Sequence, residues 1–297
     1  MKPNPRYIVL GLLAIALLTG TIPDRSQRRA PLFLAGYRVL AADFHVHPGF
    51  FAAGAVAPWD IGFLAERQGL DALAVTPHNE VFTAKIARWA SRVTGGPRIL
   101  VGEEVRTVVY HLIAVGIHRR VSWNTWDDPV AHVIDDIHSQ GGVAIAAHPL
   151  AEFWPAFDQQ AMVRLDGSEV RHPAVYHSAR AGREFEQFYR RKPMTAIGSS
   201  DFHGLGYLGM CRTWVFVTED SDQGVMDALR AGRTVVYDDN GRAWGDPELI
   251  RLAAHSGLRE RGIMPDGTDA MGRISRVCGL LTLLGALMFG FRVSLSR

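Results

Sequence analysis

The sequence predicts an α/β fold closed into a barrel, on three observations. Between about Arg38 and Leu249, apolar strand-like runs alternate with amphipathic helical stretches, the pattern of βαβ units around a parallel sheet. Five of those runs finish on histidine or an acid: "VLAADFHVH", "LAVTPHN", "ILVGEE", "AIAAHP" and "TAIGSSDFH". The chain has 297 residues, 47% hydrophobic, with a formal charge of +2, enough for one full-sized domain.

The elements follow in order. "YRVLAADFHVH" reads as a strand. "PWDIGFLAERQG" is an amphipathic helix, with Pro58 near its start and Gly69 at its end. "LDALAVTPHN" is the next strand and "VFTAKIARWASRV" a helix; "RILVGEEV" and "HLIAVGI" are strands. "DPVAHVIDDIHSQGG" is a helix that ends in glycines and feeds the strand "VAIAAHPL". The helix "REFEQFYRRK", the strands "MTAIGSSDFH" and "TWVFVT", the helix "DQGVMDALRAG" and the strand "RTVVYDD" complete the series. "AWGDPELIRLAAHSGLRERGIMPDGTDAMGRISR" is polar and broken, and reads as a linker.

Both ends are apolar. "YIVLGLLAIALLTGTI" (Tyr7–Ile22) is uncharged and follows Lys2 and Arg6. "VCGLLTLLGALMFGFRVSL" (Val277–Leu295) carries only Arg292, near an edge from which arginine can snorkel. Arginines flank both segments on their inner sides (Arg25, Arg28, Arg29; Arg273, Arg276). The expectation is a membrane-anchored protein: a signal anchor over 1–30, a catalytic domain over 38–250, a linker over 251–276 and a transmembrane helix over 277–295. The inner arginines favour a cytoplasmic domain. The basic residues before the first apolar core favour export, and the expected placement is extracytoplasmic. The charge carries no nucleic-acid footprint, and the two cysteines, Cys211 and Cys278, make no disulfide framework.

In a parallel barrel, the C-terminal ends of the strands gather on one face, where sites are built. Residues i and i+2 of a strand share a side, so His45 converges with His47, and Asp201 with His203. His111 opens "HLIAVGI" and is placed to reach the same face. With His78, Glu104 and His148 the candidate metal ligands number eight. Imidazoles mixed with carboxylates suit zinc, manganese or iron, whereas magnesium or calcium prefers oxygen throughout. Eight ligands exceed the needs of one ion and suit a cluster of two or three divalent ions bridged by a carboxylate.

These motifs resemble the PHP domain, the polymerase and histidinol phosphatase superfamily. "DFHVH" looks like its DxHxH, "TPHN" like its second motif, "GEE" with "HLIAVG" like its G-x-E and following histidine, "AAHP" like its third and "GSSDFH" like its fourth. The resemblance spans roughly Leu40 to Asp239 in the right order. "GLDALAVTPHN", "CRTWVFV" and "ALRAGRTVV" are further similar to the carbaryl-hydrolase branch, the CehA/McbA-like metallohydrolases. The resemblance implies a PHP-type distorted (β/α)7 barrel with a metal cluster at its mouth. Two departures stand out. "PGFFAAGAVAP" after His47 has no acid before Asp60, which reads as a helix start, and Pro77 stands where the family usually has aspartate. The third ion therefore lacks ligands, and two are expected.

The implied function is metal-dependent hydrolysis of a small-molecule phosphoester by metal-activated water, with Glu104 bridging ions and His203 or His177 protonating the leaving group. Arg171 and Arg212 are candidates for binding an anionic substrate. His172, in the same loop region as His177, is a candidate substrate contact, and Glu169 borders the site. Glu103, next to Glu104, should face away. Carboxylic ester or carbamate hydrolysis is the alternative within the same chemistry. A membrane-tethered binding module with a degenerate metal site is the alternative of another class. The chain has no G-x-S-x-G motif for serine-hydrolase chemistry.

Overall fold

The strands of the larger unit are β1 (Leu32–Leu34), β2 (Tyr37–Val46), β3 (Ala72–Val75), β4 (Arg98–Arg106), β5 (His111–Val115), β6 (Val143–Ala146), β7 (Gly167–Arg171), β8 (Thr195–Gly198), β9 (Thr213–Val217), β10 (Thr234–Tyr237) and β11 (Ala243–Gly245). The helices of the chain are α1 (Pro5–Thr21), α2 (Ile61–Arg67), α3 (Phe82–Thr94), α4 (Val130–Ser139), α5 (Gln159–Arg164), α6 (Ala174–His177), α7 (Ala179–Tyr189), α8 (Asp222–Arg230), α9 (Pro247–Ala254) and α10 (Ala270–Phe289), with a 3-10 turn at Ala151–Ala156. This computed structural model describes residues 5–21, 30–49, 56–123, 128–204, 206–258 and 270–289. The chain divides into two compact units, one formed by 28–264 and one by 1–27 with 265–297.

In the larger unit the strands hydrogen-bond in the order β11-β10-β9-β2-β3-β4-β5-β6-β7-β8, with β1 on β2. Pairing is parallel for β2–β3, β3–β4, β6–β7 and β7–β8. It is antiparallel for β4–β5, β5–β6, β2–β9, β9–β10 and β10–β11. The expected all-parallel sheet is corrected here, and the cause is local. Only Thr107–Tyr110 separates β4 from β5, and the Thr107 hydroxyl ties that turn, accepting from the Val109 and Tyr110 amides and donating to the Tyr110 carbonyl. A parallel crossover needs a dozen residues or more, whereas a tight turn gives a hairpin.

The two ends of this strip curl towards each other. Thr213 Oγ1 donates to the Gly198 carbonyl at 2.8 Å and accepts from its amide at 2.9 Å, and Thr234 Oγ1 donates to the Ala196 carbonyl at 2.9 Å. Past β8, Phe202 bridges Val46, with the His47 amide donating to the Phe202 carbonyl at 2.8 Å. A Cβ at Gly198 would collide with the Cys211 carbonyl, so this close approach requires glycine. The result is a nearly closed α/β barrel, as the PHP-type fold implies.

The barrel interior is filled by Leu40, Ala42, Phe44, Leu100, Ile113, Ile145 and Val215, joined by Val225, Met226 and Leu229 of α8. Asp220 and Asp222, at the start of α8, pair with Arg38 and Arg98 where β2 and β4 begin. The helix therefore closes the end opposite the motif-bearing strand ends. A second apolar layer (Val39, Val75, Val101, Ile134, Phe188) packs the strands against α2, α3, α4 and α7. The stretch read as a linker is partly structured. β11 and α9 occupy it, Asp246 caps α9 through the Glu248 and Leu249 amides with Pro247 behind it, and Leu249, Ala253 and Leu258 are buried. The Asp-Pro start was the signal.

His138 on α4 holds Asp166 at 2.7 Å, and that hydrogen bond raises the histidine above its ordinary pKa. A raised folded-state value contributes stability below the unfolded pKa of about 6.5, lost as pH rises through the folded value. Both groups are partly exposed, so His138→Gln is expected to cost less than about 1 kcal/mol at pH 5.5 and nothing at pH 9. Denaturant midpoints at the two pH values check this.

In the smaller unit α1 and α10 pack together. Ser275 Oγ donates to the Ala16 carbonyl at 2.8 Å, and Gly285 lies against Val9. The expectation of membrane-anchoring segments is corrected: among the described residues no helix is long and apolar enough to cross a membrane. α1 has 17 residues, against about 20 needed for a span. α10 begins with Arg273 and Arg276 inside it, which shortens its apolar part. Residues 290–297, where the expected second span ends, lie outside the described residues. The extracytoplasmic placement rested on those spans and falls with them.

Candidate metal centre

The site begins with a register shift in β2, between Asp43 and Val46. Before it, Leu40, Ala42 and Phe44 join the inner cluster while Val39 and Ala41 join the outer layer; after it, Val46 is in the outer layer. His45 and His47 thereby both turn to the mouth. Asp43 stays behind as a tie: it accepts from the Ser200 amide at 3.1 Å, the Ser200 hydroxyl at 2.5 Å and the Gly209 amide at 2.9 Å. Burial pushes its carboxyl up. On β4, Glu104 faces inward and Glu103 faces away, its Oε2 accepting from the Val121 amide at 2.8 Å. Burial pushes Glu103 up to about 7.

Glu104 is the centre of the arrangement. Its Oε2 lies 2.9 Å from His78 Nε2, 3.3 Å from His45 Nε2 and 3.4 Å from His47 Nε2. Its Oε1 lies 2.8 Å from His111 Nδ1 and 3.3 Å from His148 Nε2. Across from it, Asp201 Oδ1 is 3.1 Å from His47 Nε2 and 3.3 Å from His45 Nε2. Among the described residues, four sets of atoms are close enough to hold an ion: His45, His47, Glu104 and Asp201; Glu104, His111 and His148; His47, His78 and His203; and His45, Glu169 and His172. All eight ligands expected from the sequence are thus brought together.

The sequence reading placed Glu169 only at the border and treated His172 as a loop residue. Glu169 is fully buried in β7; Oε1 accepts from His45 Nδ1 at 2.9 Å and from the Ser199 hydroxyl, and Oε2 accepts from the His148 amide at 2.5 Å. A carboxylate only accepts, so Nδ1 of His45 donates to Glu169, while Nε2 faces Glu104 and Asp201. His172 is fixed in the opposite sense. Its Nδ1 accepts from the Ala174 amide at 3.1 Å, so the proton sits on Nε2, facing Asp201 Oδ2 at 3.3 Å. His172 therefore orients Asp201 and has no free lone pair for an ion. The signal for Glu169 was an acid inside the apolar strand "GSEVR". For His172 no pattern existed, because its contact is with a residue 29 positions away.

The electrostatics suit a cation. Among the described residues, Glu104, Glu169 and Asp201 form ion pairs with histidines and none with lysine or arginine. Burial would lower His45, but Asp201, Glu169 and Glu104 outweigh it and hold the imidazole well above its ordinary value. Burial lowers His47 to about 4. Burial opposes ionisation of Glu169, yet His45 and His172 bring it down to about 2. His45 Nε2, both nitrogens of His47 and Asp201 Oδ1 are buried without a hydrogen-bond partner. Buried polar atoms without partners converging in a negative field are what a divalent ion requires, so the residues fit such a group. Asn79, His148 and Asp201 have positive φ of 54°, 26° and 47°, an unfavourable backbone for residues other than glycine.

The other candidates lie apart. His177 ends α6, exposed, and belongs to none of the four sets. Arg171 lies over the Tyr176 ring at 4.6 Å, with Asp239 at 3.6 Å. Arg212 donates to the Gly209 and Gln68 carbonyls. Asp60 precedes α2, with burial pushing it up to about 6, and also stands outside the sets.

A barrel carrying clustered divalent-metal ligands at its mouth is the class that fold and geometry define. Residues 180–234 match the PHP-associated family model, PHP_C. A two-domain protein from Bacteroides vulgatus containing a predicted PHP-like metal-dependent phosphoesterase shares the fold, with TM-score 0.61, 23% identity, and coverage of 76% of this chain and 73% of that one. An amidohydrolase from Chromobacterium violaceum aligns with TM-score 0.46 and 17% identity over 57% of this chain and 89% of that one. The uncharacterized protein MJ1587 of Methanocaldococcus jannaschii is 25% identical over 155 residues, 46% of this chain and 84% of its own length. The resemblance to the PHP superfamily is borne out; these matches do not single out the carbaryl-hydrolase branch.

Proposed function

We propose that this chain is a metal-dependent hydrolase that cleaves small-molecule phosphoesters. The observation that carries the reading is Glu104, whose two oxygens face separate sets of imidazoles. One ion would be held by His45, His47, Glu104 and Asp201, and a second by Glu104, His111 and His148. Two sets remain. In one, His45, Glu169 and His172, the Glu169 carboxylate is engaged by His45 Nδ1, the Ser199 hydroxyl and the His148 amide; the other, His47, His78 and His203, contains no carboxylate, and a dication there lacks the anionic partner that offsets burial. Two ions, manganese, zinc or iron, are therefore proposed. Divalent ions bound there supply Lewis acidity, making water more acidic and polarising the ester.

The chain's own groups set the stage for that chemistry. Glu169 holds the proton of His45 on Nδ1, and His172 holds Asp201. His203 Nδ1 donates to the Asp201 carbonyl at 2.8 Å, leaving Nε2 as the atom that faces the rim and exchanges a proton with a leaving oxygen. Arg171, two residues after Glu169 at the end of β7, is the candidate for an anionic substrate. Carboxylic ester or carbamate cleavage uses the same residues.

One experiment separates the readings: elemental analysis of the purified full chain after dialysis, followed by turnover of a generic phosphodiester and an aryl ester. Two ions per chain with phosphodiester turnover is the expected result. Aryl-ester turnover alone would favour the carbaryl-hydrolase-like reading. Metal near zero with neither activity would leave the degenerate binding module.

A further inference from the structure

β3 ends at Val75, so His78 lies beyond the regular ladder and other ties must hold it at the mouth. The Thr76 amide donates to the Val46 carbonyl at 2.9 Å, and the Thr76 hydroxyl accepts from the Val46 amide at 3.1 Å, which fastens the start of this segment to β2. On the other side, the Glu104 amide donates to the Pro77 carbonyl at 3.1 Å and the Asn79 amide to the Glu104 carbonyl at 3.0 Å, a parallel bridge between His78 and Glu104. Glu80 then caps α3, its Oε2 accepting from the Phe82 and Thr83 amides.

Asn79 adds a tie of another kind. Its Oδ1 accepts from the Arg106 amide at 2.9 Å, and its Nδ2 donates to the Arg106 carbonyl at 3.0 Å. The carboxamide does for Arg106 what the main chain of a neighbouring strand would do. It carries the pairing with β4 one step past the point where the backbone leaves it. The backbone has to leave there, because Asn79, at φ 54°, turns the chain towards α3. Asparagine tolerates this left-handed region better than most residues with a side chain. Glycine tolerates it too but has no amide to offer. Arg106 lies two residues after Glu104 and pairs with His111 of β5. One side chain therefore links the residue after His78, which faces Glu104 Oε2, to the residue opposite His111, which faces Glu104 Oε1.

We propose that Asn79 is a positioning residue of the metal centre: its carboxamide, held on the Arg106 main chain, sets where His78 and His111 stand relative to Glu104. It thereby sets how tightly and in what geometry the ions are held, without touching an ion itself. The assignment rests on the metal-centre reading and adds to it a residue outside the four ligand sets. A carboxamide is required because the two bonds need a donor and an acceptor on one side chain.

The test compares the native full chain with two variants. Asn79→Gly keeps the backbone freedom and loses both bonds; Asn79→Ala loses both bonds and keeps a Cβ on an unfavourable backbone. Manganese affinity is read by calorimetric titration, coordination by the visible spectrum of the cobalt-loaded protein, and stability by melting of the metal-free protein. Asn79→Gly is expected to bind manganese about tenfold or more weakly, with an altered cobalt spectrum. Its metal-free melting temperature should stay close to native, since relief of the backbone offsets the lost bonds. Asn79→Ala is expected to show the same loss of affinity with a lower melting temperature. With metal saturating, turnover of a generic phosphodiester by Asn79→Gly should show kcat lowered and KM unchanged. Native affinity and spectrum in Asn79→Gly overturn the proposal. A loss of affinity that accompanies collapse of its metal-free fold does so too, since it marks Asn79 as a structural residue only. Native protein that binds neither manganese nor cobalt overturns the proposal together with the metal centre. Weaker binding and an altered spectrum in Asn79→Gly, with no turnover of phosphodiester or aryl ester by native protein, leave the positioning role standing and remove the hydrolase reading.

Discussion

Glu104→Ala protein is expected to lose most of its bound metal and to hydrolyse its substrate at least ~10³-fold more slowly, about 4 kcal/mol of barrier. The size of the effect follows from geometry. Five imidazoles converge on this one carboxylate, three on Oε2 and two on Oε1, so its removal takes a ligand from two ion positions at once. Removing any single histidine takes a neutral ligand from fewer. Asp201 would remain the carboxylate facing Nε2 of His45 and of His47, and the set built on His111 and His148 would lose its carboxylate. Elemental analysis of the variant beside native protein, with far-UV circular dichroism to verify the fold, measures this directly. Retention of the full metal complement would show that Glu104 is a packing residue and that the proposed bridge is wrong.

Glu169→Gln is expected to weaken metal binding by about 10–100-fold, the usual effect of removing a carboxylate behind a ligating histidine, while unfolding at close to the native temperature. Glutamine keeps the shape and one accepting oxygen, so the Ser199 and His148 contacts have a substitute. The negative charge that fixes the His45 proton on Nδ1 is gone. Glu169→Ala removes the His148 amide contact as well and should be the more damaging of the two. Calorimetric metal titration separates positioning from simple packing: a packing residue would shift the melting temperature with affinity unchanged. Unaltered affinity in the glutamine variant would sink the assignment.

The sequence made the strand ends legible because the chemistry there is written in residue type. Histidines inside apolar runs are conspicuous, and the period of two places His45 with His47 whatever the rest of the fold does. What stayed hidden depends on contacts that no local pattern records. The β4–β5 hairpin reads as part of a parallel series because both strands are buried runs without in–out alternation, and only the brevity of Thr107–Tyr110 distinguishes a turn from a crossover. The inward rotation of His45 depends on a register shift that periodicity alone places on the wrong face. Glu169 and His172 act through His45 and Asp201, at separations of 124 and 29 positions. The terminal segments mislead for the opposite reason: hydropathy does not record where a helix begins, and α10 starts at Ala270, ahead of Arg273 and Arg276.

The left-handed backbone at Asn79, His148 and Asp201 couples folding to the occupant of the mouth. Residues held in such conformations cost about 1–3 kcal/mol each, and here they lie next to carboxylates and imidazoles that are buried at further expense. A chain relaxing these three residues would swing Glu104's neighbours away from it and gain local comfort. The tendency to do so is greatest when no cation shares the electrostatic load, and binding free energy is then folding free energy. Metal supply would therefore act on the lifetime of this protein as well as on its catalysis, with the unloaded barrel opening first at its mouth and presenting those loops to proteases.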